Sequence, residues 1–156
     1  MKYFISLSNN KGFTFIEMLL VIAAIAILAA VVLLVINPRK HLGETENARR
    51  QSDVNTILNA VYQYVIDNDG DLPGSIPLGV CGDSVMNEIC RTEGVCAGLV
   101  NLSKITQNEK YIITMPIDPR VTNLNGTGYH ISRTVNERIV VCAPKAEQGM
   151  IISVAR

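Results

Sequence analysis

The sequence predicts an α+β chain. A long N-terminal helix, apolar in its first half and amphipathic in its second, packs on a small antiparallel sheet of three or four strands. Three observations carry that prediction. Nineteen consecutive residues, 18–36, contain no charge. A hydrophobic stripe at helical spacing follows from Glu44. Beyond residue 110 the chain shifts to the β-branched and aromatic runs and two-residue alternation of strands.

The apolar run comes first. At about 1.5 Å per residue it spans close to the roughly 30 Å of a hydrocarbon core, so the segment inserts in a membrane. A secretory signal places its small-residue cleavage site after the apolar stretch and loses that stretch. Here Ile36 runs instead into Asn37-Pro38-Arg39-Lys40. The predicted cut lies before the run, at Gly12, which makes residues 1–12 a leader and leaves the spanning helix, 13–37, on the mature chain.

Glu17 stands near the mouth of this run. A carboxylate costs about 2.5 to 3.5 kcal/mol at the centre of a membrane helix and less near the interface, so it is expected to be paired or functional. Cleavage after Gly12 creates a cationic amine on Phe13, within one turn of Glu17 in its own chain and open to the Glu17 of a neighbour. Pairing between neighbours neutralises both charges and sets the axial register of packed helices.

The junction Lys11-Gly12-Phe13-Thr14-Phe15-Ile16-Glu17, with the apolar run behind it, resembles the leader and N-terminus of type IV pilins and of the pseudopilins of type II secretion. The resemblance implies that a prepilin peptidase cuts after Gly12, that Phe13 is N-methylated and that Glu17 serves assembly. It also implies a helix-on-sheet head, membrane lipid around the helix before assembly, an inner-membrane assembly platform, and identical or related pilin subunits as partners in a surface filament. Met115-Pro116-Ile117-Asp118-Pro119 looks like the turn before the final hairpin in many members.

Beyond the span, Pro38 removes a donor and crowds the Leu34 carbonyl, which predicts a kink or local loosening at the membrane exit, and Gly43 weakens the same region. The amphipathic continuation covers 38–70. Ala48, Val54, Ile57, Leu58, Val61 and Val65 form its expected buried stripe, with Arg49, Arg50, Gln51, Asn55 and Asn59 on the other side. Asp67-Asn68-Asp69-Gly70-Asp71 stops it, with Gly70 as the left-handed cap and Pro73 barring resumption. One helix over 13–68 would measure about 84 Å, far more than a bilayer, so 44–70 belongs to an outer head together with 71–156.

Residues 71–104 hold five glycines, two prolines and three of the four cysteines, and read as a loop-rich insertion with short helices at most. Cys81, Cys90, Cys96 and Cys142 all follow the span, and none forms the paired spacing of a zinc ribbon. Two disulfides are expected, which places the C-terminal domain outside the cytoplasm. The flanking charges, Lys2 and Lys11 against Arg39 and Lys40, do not decide orientation. All three connectivities join Cys142 to a cysteine within 81–96. Strands are expected at 111–113, 129–135, 139–142 and 151–154, with Asn136-Glu137 as a two-residue hairpin link.

Composition narrows the function. Formal net charge is zero over 156 residues, and removing the leader leaves 12 basic against 14 acidic side chains. Nucleic acid is therefore not an expected partner. No phosphate loop, nucleophile elbow, metal triad or dinucleotide fingerprint occurs. His41 and His130 read as surface and sheet histidines, so the chain is not expected to be an enzyme or to hold a cofactor. The acidic cluster at 67–71 misses the glycine and glutamate positions of an EF-hand and reads as a helix stop. Some pseudopilins bind calcium near the C-terminal sheet, and Asp118 with Asn123 and Asn125 occupies a comparable stretch. The two glycosylation sequons, at Asn101 and Asn125, carry no weight alone.

The expected function is a structural subunit of a type IV pilus-like filament. The alternatives are a secretion pseudopilin, or an adhesin or DNA-uptake minor pilin that never polymerises. The last would need a contiguous basic or aromatic patch, and Arg133, Arg138, Lys145 and Arg156 are scattered along the chain.

Overall fold

A computed structural model describes residues 12–35, 37–83 and 87–156. Leader residues 1–11, with Lys2 and Lys11, lie outside the described residues, as does Ile36 at the end of the expected span. The chain forms two compact units, Met1–Pro38 and Arg39–Arg156.

In the first unit α1 spans Phe15–Val35, 21 residues, or about 31 Å of rise. Every side chain over Phe15–Val32 is exposed, and the helix is long and apolar enough to cross a membrane. Helix α2 covers Pro38–Asp67. Pro38 is the first residue of α2, where its missing N–H costs nothing. At the other end the Gly70 amide donates to the Val65 carbonyl at 2.9 Å. Gly70 takes φ 95°, and Asp69 is also left-handed at φ 53°.

In the second unit α2 buries Val54, Ile57, Leu58, Ala60 and Val61 against Tyr129, Ile131, Val141 and Ile152 of the sheet side. The expected stripe needs correction at its start. Ala48 is exposed, Val65 is only partly buried, and Arg50, read as a solvent-side residue, is wholly buried. Residues 43, 47, 50, 54, 57 and 61 recur at three- and four-residue steps, so position 50 lies on the core face whatever its side chain. Gly43 has a packing role in α2. A Cβ there would stand 2.8 Å from the side chains of both Glu147 and Gln148, so its bareness lets that loop approach the helix.

Four antiparallel strands follow in spatial order β1 (Glu88–Cys90), β2 (Gly126–Arg133), β3 (Ile139–Cys142) and β4 (Ser153–Ala155). A short helix, α3 (Ser103–Thr106), lies between β1 and β2. The expected strand at 111–113 is absent. Ile112 donates to the Ile105 carbonyl at 3.2 Å, and Tyr111 and Ile112 lie against the core as loop side chains. Both edges of β2 are already taken, by β3 and by β1, a strand the sequence reading missed inside the loop-rich insertion. Between β2 and β3 the loop is three residues, 135–137, and not two. Thr134 donates to the Arg138 carbonyl at 2.9 Å and Glu137 to that of Thr134 at 3.0 Å, with Glu137 at φ 61°, a type I turn closed by a left-handed residue. β4 starts two residues later than expected, leaving Ile151 93% exposed.

Two disulfides pin the loops. Cys81 pairs with Cys142, 61 residues apart, and Cys90 with Cys96, six apart. By loop entropy the first is worth about 4 kcal/mol and the second about 2.

A polar cluster ties α2 to the loops. Arg50 Nε donates to Asp118 Oδ2 at 2.6 Å and Nη2 to Oδ1 at 3.3 Å, with both side chains at zero exposure. Asn47 accepts from Arg50 Nη1 at 3.0 Å. The Asn47 amide also spans the Glu147 backbone, accepting from its N–H at 2.9 Å and donating to its carbonyl at 3.0 Å. Gly128, at φ 79°, passes so close that a Cβ would sit 2.8 Å from that of Asp118.

Arg120 Nε lies 2.7 Å from both Glu46 Oε2 and Glu147 Oε1, so two carboxyl groups compete for one guanidinium. Hydrogen bonding with Glu147, and then Arg120, hold Glu46 below its ordinary value against an opposing effect of burial. Hydrogen bonding to Glu46, and then burial, push Glu147 above 4.5. The folded chain thus keeps a proton on Glu147 that the unfolded chain has released, and stability falls as pH climbs from 4.5 through the raised value. Glu46 acts below that window, where stability rises with pH. Glu147→Gln removes the upper-window loss. Relative to the parent, the variant is expected to gain stability between pH 4.5 and neutrality, read from urea midpoints at the two pH values. An unchanged midpoint difference at both would show that Glu147 holds no extra proton in the fold.

Candidate processing and assembly site

Gly12, Phe13 and Thr14 precede α1 in irregular, exposed backbone. Among the described residues, a Cβ built on Gly12 would meet nothing within 4 Å.

Helix α1 begins at Phe15 because Thr14 and Glu17 cap it reciprocally. Thr14 Oγ1 accepts from the Glu17 amide at 3.3 Å, and Glu17 Oε2 accepts from the Thr14 amide at 3.4 Å. This is a capping box, in which two backbone donors of the first turn are satisfied by each other's side chains. The carboxylate also lies at the positive end of the helix dipole. Sequence reasoning treated Glu17 as an acid lacking a partner within the uncut chain and passed over the Thr-x-x-Glu spacing that supplies one. Glu17 is the single acid of α1, and the helix has no basic residue in its last turn.

The remaining candidate side chains are taken by other partners, and Asn123 Oδ1 accepts from the Asn125 amide at 3.0 Å. Asp118 is committed to Arg50, Asn123 donates to Glu88 Oε2 at 3.0 Å, and Asn125 Oδ1 accepts from the Val95 amide at 3.1 Å. Among the described residues no three His, Cys, Asp or Glu side chains converge as a metal site would require. Asp67 pairs with Lys110 at 2.9 Å and His41 faces Glu44 at 3.3 Å. His130 lies in β2, opposite Cys142 of β3.

Residues 7–33 match the family model of the prokaryotic N-terminal methylation motif. The chain bears the type IV pilin and pseudopilin signature. The matched segment holds Gly12, Phe13, the Thr14–Glu17 cap and most of α1, and ends before α2. No curated protein and no solved structure matches the chain. The pilin-type head therefore rests on its own architecture, the amphipathic α2 on a four-stranded antiparallel sheet. Apolar helix, helix-on-sheet head and two disulfides together make this a pilin-like α+β chain.

Proposed function

We propose that the chain is a structural subunit of a type IV pilus-like filament. It is made as a membrane-inserted prepilin, cut after Gly12 by a prepilin peptidase and N-methylated at Phe13. An inner-membrane platform then assembles it with identical or related subunits through α1. Glu17 leaves its own cap and pairs with the N-terminal amine of a neighbour. One observation carries this reading: α1 is apolar and exposed over Phe15–Val32, and its single acid sits in the first turn beside an open Gly12–Phe13 bond.

The transfer from lipid to filament is feasible because packing α1 against its copies replaces lipid contacts at little net cost. A single ion pair then suffices to select register. The two disulfides support a head outside the cytoplasm, and the subunit is proposed to act without cofactor or metal. Secretion pseudopilins share the same signature. Two experiments separate the uses: imaging for extracellular fibres after raised expression, and assay of secreted enzymes in a deletion strain.

The deciding experiment is mass determination of the mature N-terminus. The expected chain begins at Phe13 and carries one additional methyl group. A chain that retains Met1, or one that begins after α1, overturns the proposal.

A further inference from the structure

The head carries a cleft of about 530 Å³ where the end of α2 meets the turn after α3, within the range of small-ligand sites. Two aromatic rings frame it, Tyr64 from α2 and Tyr111 from the loop, edge to face with centroids 5.6 Å apart. Two cations cap them. Lys104 Nζ lies 5.9 Å from the Tyr64 ring and Lys110 Nζ 4.6 Å from that of Tyr111. Asn108 and Glu109, two successive non-glycine residues at φ 55°, hold the turn that brings Gln107 and Asn108 to the rim. Left-handed backbone of that kind persists only where its surroundings enforce it.

The polar groups divide into committed and uncommitted sets. Lys110 is neutralised by Asp67 at 2.9 Å and donates to the Tyr111 hydroxyl at 2.7 Å, which in turn donates to Asp67 at 3.1 Å. Among the described residues, Lys104 has no acidic partner, and the side chains of Gln107 and Asn108 make no hydrogen bond. The cleft thus offers one uncompensated positive charge, two amides that both donate and accept, and aromatic edges.

We propose that this cleft binds an acidic saccharide, with the sugar carboxylate on Lys104 and the ring hydroxyls on Gln107 and Asn108. One net positive charge matches one carboxylate per sugar. A phosphodiester chain needs a track of cations and stacking faces, whereas here one of the two cations is neutralised by Asp67 and both cover the rings. Hydroxyl-rich ligands pair well with side-chain amides, which both donate and accept. Occupancy of this cleft is independent of α1 assembly.

Calorimetry on the full mature chain in detergent micelles tests the assignment with trigalacturonate, an oligoguluronate and sialyllactose. Maltotriose and a short oligothymidylate serve as comparators. At least one acidic saccharide is expected to bind saturably. Lys104→Gln is expected to weaken it about tenfold or more, the scale of a hydrogen bond to a charged group, and Gln107→Ala to weaken it by a smaller factor. Both side chains are exposed, so thermal unfolding of the two variants should match the parent. The proposal is overturned if no acidic saccharide binds, if Lys104→Gln binds as well as the parent, if maltotriose binds equally, or if oligothymidylate binds more tightly.

Discussion

Glu17→Val is expected to give chains that reach the membrane normally and build no filaments. Insertion survives because the segment Phe15–Val32 keeps its length and apolar character, and removing an acid from it only makes the lipid phase more favourable. Assembly fails because the neighbour's amine then enters a lipid-free helix bundle with no counter-charge, a penalty of several kcal/mol that loose helix packing does not offset. The capping box supplies a second variant that separates the two uses of the carboxylate. Glu17→Gln keeps an oxygen for the Thr14 amide and loses the charge. It should therefore preserve the first turn of α1 and still give no fibres. Membrane fractionation with electron microscopy of sheared material reads both steps. Fibres at parental yield from the valine variant would remove the ion pair from the mechanism, and fibres from the glutamine variant alone would leave the cap as what matters.

Arg50→Ala should be the most damaging single change in the head, costing about 3 to 5 kcal/mol. Truncation strands Asp118 at zero exposure, and an uncompensated buried charge is far costlier than the absence of the pair. Against a total stability of about 5 to 15 kcal/mol, that loss brings the head close to unfolding. The guanidinium also meets Asn47, Glu46 and Glu147, so its removal loosens the loop carrying Glu147. Replacing both partners by apolar residues, Arg50→Met with Asp118→Leu, is expected to recover most of the loss. Urea unfolding of the four proteins of this cycle measures the coupling directly. If the double variant is as unstable as the sum of the singles, Arg50 and Asp118 are not energetically joined.

Those two sites mark the boundary of what the sequence discloses. The apolar run announced α1 because membrane insertion needs nothing but composition and length. The stripe through Val54, Ile57, Leu58 and Val61 was equally readable, since it repeats within one helix. Arg50 was misplaced because its charge outvoted its position. Its partner lies 68 residues away, and a long-range ion pair leaves no local pattern. β1 has three residues, too few for a period, and exists because β2 offers it an edge. The run at 111–113 had strand composition and no edge left to join. Thr14 and Glu17 stand at capping spacing, a local pattern that the sequence carries in full. The saccharide cleft joins Tyr64 to a segment some 40 residues later, a proximity that only folding creates.

The Cys81–Cys142 bridge gives the head a mechanical character as well as a thermodynamic one. A pull applied between α1 and the C-terminus travels through the bond and bypasses the chain between Cys81 and Cys142, which lie 61 positions apart. About 200 Å of contour, at roughly 3.4 Å per extended residue, is thus withheld from unspooling. β1, α3, β2 and the start of β3 sit inside that shielded length. Under tension the head would lengthen only through its outer segments, and a reductant would release the remainder.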